Sequence, residues 1–226
     1  MLEEDLSLPN IALDLIGQAR ALYSHAADLG GGPRPEGADT SDEDAIAYLR
    51  TDREYHNVLL VERPNGDFAH TMLRQFYFSA YQHPFWHAAQ QSTDERLAGT
   101  AAKAVKEAAY HLRHAGEWVV RLGDGTDESA RRMRDAVDEL HIYTDELFTV
   151  TPAMRACVAA GLVPDPETLR ETWGATVRDV FGQAFLAVPD VPFPQEGGRD
   201  GRHTEGFGHL LSELQYMQRT YPGAKW

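Results

Sequence analysis

Cysteine is all but missing from this sequence: Cys157 is the only one in 226 residues. A lone thiol excludes an internal disulfide framework and any cysteine-built zinc or iron–sulfur site, and it suits a reducing compartment, so a cytoplasmic protein is expected. Long apolar runs are missing too. None approaches the roughly 18 residues of a membrane span, and the start, Met1-Leu2-Glu3-Glu4-Asp5, is acidic where a secretory signal is basic. The expectation is a soluble chain with no membrane partner. Positive charge is scarce, with 21 Lys and Arg against 35 Asp and Glu and a formal net charge of −14. Such a chain repels a polyanion and its basic residues are scattered, which argues against nucleic acid. The basic run Arg131-Arg132-Met133-Arg134 reads as the solvated face of a helix. Strand signals are nearly absent; only Asn57-Val58-Leu59-Leu60-Val61 has the branched, apolar look of a short strand, and that run is short enough to be helix.

What is present is helical periodicity. With 42% hydrophobic residues, the chain can bury one sizeable core, and a single domain over 1–226 is expected. Ile11, Leu15, Gln18, Leu22 and Ala26 share one face of a first helix over about 8–29, closed by Gly30-Gly31-Gly32-Pro33. Residues 30–42 are a loop by composition, and a short helix near 42–61 follows. Asp67 is placed to cap a long helix running towards Pro84 and Trp86. Another helix spans about 94–122, and Thr126 or Asp127 opens one over about 127–148 with Met133, Val137, Leu140, Thr144 and Leu147 inward. Asp165-Pro166 starts a helix to about 186. Residues 187–201, rich in Pro and Gly, form an irregular connection before Thr204 caps a last helix striped by Leu210, Leu211, Leu214 and Met217. Long amphipathic helices with short turns and no alternating strands predict an all-α helical bundle.

Bundles often hold di-metal sites built from Glu-x-x-His pairs, because side chains at i and i+3 point inward together. No Glu-x-x-His occurs. The nearest matches are Asp67-Phe68-Ala69-His70 and Asp138-Glu139-Leu140-His141. Asp67 is better used as a cap, and Asp138 and His141 read as surface groups. Glu107 and His111, spaced i,i+4, read as a hydrogen-bonded buried pair. An independent metal-dependent oxidoreductase built from Asp67, His70, Glu107, His111, Asp138 and His141 stays open as the alternative function. Cys157 beside Arg155 reads as a small core residue, since no histidine context accompanies it. Phosphate-cradling loops are absent.

From Asn10-Ile11-Ala12-Leu13-Asp14-Leu15-Ile16-Gly17-Gln18-Ala19-Arg20 onward, the sequence resembles the C-type subunits of the bacterial phenylacetyl-CoA epoxidases, also called ring-1,2-phenylacetyl-CoA epoxidases. The likeness continues through Asn57-Val58-Leu59-Leu60-Val61-Glu62-Arg63-Pro64-Asn65-Gly66-Asp67-Phe68-Ala69, Lys103-Ala104-Val105-Lys106-Glu107-Ala108-Ala109-Tyr110-His111-Leu112-Arg113 and Arg121-Leu122-Gly123-Asp124-Gly125-Thr126-Asp127. It closes with Asp165-Pro166-Glu167-Thr168-Leu169-Arg170, His203-Thr204-Glu205 and Leu214-Gln215-Tyr216-Met217-Gln218-Arg219. Nearly the whole chain is covered, although the resemblance implies a further helix before the position of Leu2.

The resemblance implies a ferritin-like fold and a hetero-oligomer with a homologous A subunit that carries the di-iron centre. That subunit epoxidises the ring of phenylacetyl-CoA, with electrons from NADPH through an iron–sulfur and FAD reductase. Where the A subunit's first motif has glutamate and histidine, this sequence has Leu15 and Gln18. Where the second has glutamate and histidine, it has Ala108 and His111, and a separate aspartate aligns with Ser79. One imidazole cannot replace several carboxylate oxygens, so no metal is expected in this chain. A non-catalytic supporting role follows, docking on and stabilising the A subunit. The resemblance also implies CoA-substrate contact at Glu54, Tyr55, His56 and Asn57 and at Arg155, Ala156 and Cys157, set against the plainer reading of helix ends packed on loops.

Overall fold

A computed structural model describes residues 2–34 and 41–224, and among them there is no strand. Among the described residues eight α-helices and six short 3-10 turns make an all-α helical bundle, as the periodicity predicts. The described chain groups into two compact units, Met1–Asn57 with Asp200–Trp226, and Val58–Arg199.

The first unit holds α1 (Leu2–Asp28), α2 (Glu43–Tyr48) and α8 (Glu205–Thr220). Helix α1 begins six residues earlier than its periodicity suggests, with Glu3, Glu4 and Asp5 in the first turn, where carboxylates suit the helix dipole. It ends in a left-handed turn at Gly30, φ +83°, where the amides of Gly30 and Gly31 donate back to the carbonyls of Ala27 and Ala26, both at 2.8 Å. Residues 35–40 of the expected loop lie outside the described residues. The helix expected over 42–61 is only α2 and a single 3-10 turn, Asp52–Glu54, within this unit. The chain breaks helix there because Thr51 and Glu54 form a local capping box, Glu54 accepting from the Thr51 amide and hydroxyl at 2.7 Å. Helix α8 then staples this stretch. Gln215 donates to the carbonyl of Arg50 at 2.8 Å, and Arg219 donates to the carbonyls of Leu49 and Arg50.

The stripe expected on α8 needs correcting. Of its four residues only Leu211 is buried, in company with Phe207 and Gln215, whereas Leu210, Leu214 and Met217 are exposed. Thr204 stands at the N-cap position without a side-chain capping bond.

The second unit is organised on α3 (Phe68–Ala89) and α4 (Glu95–Gly123), which pack along their length as antiparallel neighbours joined by a short turn. Asp67 caps α3 through the His70 amide at 3.1 Å, and Asp94 caps α4 through the amides of Arg96 and Leu97. Helix α4 buries a stripe of small residues, Ala101, Ala104, Ala108 and Ala115, which keeps its contact face thin. Helix α5 (Asp127–Leu140), capped by Thr126, and α7 (Arg170–Gln183) both lie on the α3–α4 pair. At the close approach of α4 and the end of α7 a Cβ on Gly123 would fall 2.4 Å from the carbonyl oxygen of Ala184.

The run after Asn57, strand-like in composition but short enough to be helix, is a 3-10 turn, Leu59–Glu62, with Val58, Leu59 and Leu60 buried. Two expectations here are overturned. Helix α5 stops at Leu140 and the chain tightens into turns His141–Tyr143 and Asp145–Phe148, although its inward residues are buried as expected. The cause is Glu146, drawn fully inside to accept the amides of Leu59, Gly197 and Arg199 at 2.6, 2.8 and 3.1 Å. Helix α7 starts only at Arg170, after a turn over Pro166–Leu169, and ends at Gln183 before Phe185 with φ +54°. An unanticipated short helix, α6 (Pro152–Ala159), is capped by Thr151 with Pro152 at its first position.

Candidate functional site

The second unit carries three of the five positions aligned with di-iron ligands. Ser79 on α3 and Ala108 and His111 on α4 are each completely buried at the heart of the packed pair. Leu15, half-buried, and Gln18, buried, stand on α1 in the first unit. The donor chemistry does not fit a di-iron centre. Leu15 and Ala108 have no donor atom, Gln18 offers a neutral amide, and the Ser79 hydroxyl accepts from Gln75 at 2.9 Å. One imidazole is left where ferrous or ferric iron needs several carboxylate oxygens. Apart from the half-buried Leu15 the positions are buried yet partly polar, since Gln18, Ser79 and His111 all count among the buried polar side chains.

The alternative ligand set is dispersed into separate structural tasks. Asp67 accepts from both the amide and the ring Nδ1 of His70, and the other ring nitrogen of His70 lies 3.3 Å from Glu139. Burial works against the Asp67 carboxylate, but the His70 hydrogen bonds and Arg132 hold its pKa below the ordinary value. Glu107 pairs with Lys103 at 3.3 Å. Asp138 is exposed as expected, but His141 is not the surface group it was read as. Its Nδ1 meets the buried Tyr77 hydroxyl at 2.8 Å, and the Trp173 indole donates to the Tyr77 carbonyl at 3.0 Å. Burial lowers the His141 pKa and raises that of Tyr77 well above the ordinary phenol value. Among the described residues no three His, Cys, Asp or Glu side chains gather as a metal site.

Arg131 and Arg132, the heart of the basic run, are answered by acids: Arg131 by Glu128 and Asp135, Arg132 by Glu128 and Asp67. Hydrogen bonds from Arg131 and then Arg132 hold Glu128 down to about 2. Arg131 and Arg132 thus lie on a solvated, paired face, whereas Met133, between them and Arg134, is buried.

The candidate CoA contacts fall in two places. In the first unit Glu54 is exposed and engaged in its capping box, with the Thr51 amide the main influence lowering its pKa. Tyr55 is half-buried, its hydroxyl bonded to the Ala47 carbonyl and its ring 4.0 Å below the Arg50 guanidinium. His56 is exposed and Asn57 half-buried. In the second unit Arg155 and Ala156 are exposed on α6 and Cys157 is half-buried. Arg155 lines a cavity of about 320 Å³ with Val150, Val158, Asp165 and Glu167. No motif points to Glu146 and its three amides; the only signal is an acid standing immediately before the apolar pair Leu147-Phe148.

A family model described as phenylacetic acid catabolic protein matches residues 1–226. The chain is also 44% identical, over 225 residues, to the C-type component of the 1,2-phenylacetyl-CoA epoxidase of Escherichia coli strain K12. That alignment covers 100% of this chain and 88% of the relative.

Proposed function

The chain belongs to the phenylacetic acid catabolic protein family, and from that premise we propose that it is a non-catalytic subunit of a multicomponent phenylacetyl-CoA 1,2-epoxidase. It docks on and stabilises a homologous A subunit, to which the di-iron centre and the epoxidation of the ring belong. Electrons reach that subunit from NADPH through a reductase carrying FAD and an iron–sulfur cluster, and the assembly works in the cytoplasm. The observation that carries the reading is the set of side chains at the aligned ligand positions: with Leu15, Gln18, Ser79 and Ala108 at four of them, His111 is left as the single imidazole donor. Buried carboxylates without a metal would cost several kcal/mol in desolvation, so their replacement by neutral side chains suits a position that has left chemistry for support. Glu54, Tyr55, His56 and Asn57, with Arg155, Ala156 and Cys157, are the positions assigned to the CoA end of the substrate.

The test is iron analysis of the isolated chain after ferrous loading, beside co-expression with the cognate A subunit. The expected outcome is sub-stoichiometric iron, no NADPH-dependent oxygenation by the chain alone, and a stable complex that raises the soluble yield of the A subunit. A full di-iron complement on the isolated chain, or an active A subunit that elutes separately at micromolar concentration, would overturn it.

A further inference from the structure

Two histidines of α3 take no part in the core or in the positions aligned with di-iron ligands. His83 and His87 stand four residues apart, and α3 runs unbroken from Phe68 to Ala89 through Pro84 between them. Side chains so spaced project side by side, with Cβ atoms about 5–6 Å apart. They continue a line that begins inside the second unit: Phe76 and Ala80 are buried, and at the same helical spacing His83 is half-buried and His87 exposed. The two rings are near enough for charge on one to act on the other, and burial, then His87, lowers the His83 pKa. Among the described residues neither ring has a hydrogen bond, an ion pair or an aromatic contact.

The other histidines of this unit are differently placed. His70 is held between Asp67 and Glu139, His141 meets the Tyr77 hydroxyl, His114 stacks on Tyr110 at 5.7 Å, and His111 is completely buried. We propose that His83 and His87 form a two-point chelate for a borderline divalent transition ion of the zinc, nickel or copper class.

Donor type and spacing select that class. Neutral imidazole nitrogen is a ligand these ions favour, and two histidines at i and i+4 on one helix face can present a nitrogen each to the same ion. The lowered His83 pKa keeps that ring unprotonated at neutral pH, which is the form that coordinates. Magnesium and calcium seek oxygen ligands and gain nothing from the pair. Ferrous iron stands below nickel and copper in the order of divalent affinities, so the pair is no substitute for the lost carboxylates. Structural zinc sites carry four protein ligands and catalytic ones three, and among the described residues no third His, Cys, Asp or Glu joins this pair. With two, the ion keeps its remaining positions for water, and the site is an exchangeable one. It goes beyond the supporting role proposed above and does not depend on it.

Isothermal titration calorimetry of the untagged full chain with zinc chloride tests it, with magnesium chloride as the control. Zinc should bind saturably and magnesium should not compete. His83→Gln and His87→Gln should each weaken zinc binding about tenfold or more, since even the outer-shell partners of a metal site contribute about 10–100-fold; circular dichroism confirms that both variants fold. Pulsed electron paramagnetic resonance of the chain loaded with an equimolar amount of copper(II) counts the coordinated imidazoles, which should be two in the parent and fewer in either variant. No saturable zinc binding, zinc binding indifferent to both substitutions, or a single imidazole on copper in the parent would each overturn the proposal.

Discussion

Removing the carboxylate of Glu146 is the perturbation with the clearest arithmetic. The side chain is completely buried, and its two oxygens take the amides of Leu59, Gly197 and Arg199. Leu59 and Gly197 are themselves buried, so Glu146→Ala leaves two donors without water or acceptor, at about 1–3 kcal/mol each. The half-buried Arg199 amide can reach solvent and adds little. Loss of the carboxylate's own desolvation penalty offsets part of this, for a net loss of about 3–4 kcal/mol, a large share of the roughly 5–15 kcal/mol that stabilises a domain. For a unit of this size the melting temperature should fall by roughly 6–16 °C. Glu146→Gln keeps one carbonyl oxygen and turns its amide against one donor, so it should cost about half as much. The assay is urea unfolding of both variants, with hydrogen exchange at the Leu59 and Gly197 amides as the local readout. If Glu146→Ala unfolds within about 0.5 kcal/mol of the parent, with those amides still protected, the carboxylate does not hold them.

The pH dependence of stability should carry the mark of His141, whose folded pKa burial depresses below the ordinary 6.5. Its contribution is fully present above that unfolded value and is lost as pH falls from there through the folded pKa, by at most about 1.4 kcal/mol per pH unit. His141→Gln should flatten that limb of urea midpoints measured between neutral and mildly acidic pH, and a limb that stays equally steep assigns it to other groups. Two glycines of α4 should respond oppositely to alanine. Gly99 has open space around it and should gain about 0.5–1 kcal/mol, whereas Gly123→Ala drives a methyl into the Ala184 carbonyl and should lose about 1–3 kcal/mol. Thermal melts of the two variants moving in the same direction would contradict the packing at the α4–α7 contact.

What was legible in the sequence is what local chemistry decides. Asp67, Asp94 and Thr126 each cap a helix within three residues of their own position, so three helix starts could be read from short windows. The end of α5 could not, because the turn after Leu140 forms around an acid whose partners lie far along the chain. The α8 stripe failed for a different reason: Leu210, Leu211, Leu214 and Met217 are all apolar, and it is the packing of α2 and the turn Asp52–Glu54 on α8 that decides which of them is covered. His141 was misjudged because its partner, Tyr77, is a tertiary one. At the candidate site the residue types were legible and the surroundings were not, so the missing carboxylates at Leu15 and Ala108 could be read directly while the engagement of Glu54 with Thr51 could not.

The bonds that converge on Glu146 also bear on the order of events in folding. Leu59 lies 87 residues from Glu146 along the chain, and Gly197 lies 51. The α3–α4 hairpin and the helix caps need only local contacts, but these bonds require long loops to close first, and each doubling of loop length adds about 0.6 kcal/mol of entropic cost. They belong to the late side of the folding barrier, where a change in native stability appears in the unfolding rate and hardly at all in the folding rate. Glu146 thus acts as a latch on the second unit: it does little to help the helices find one another, and it sets how long they stay together.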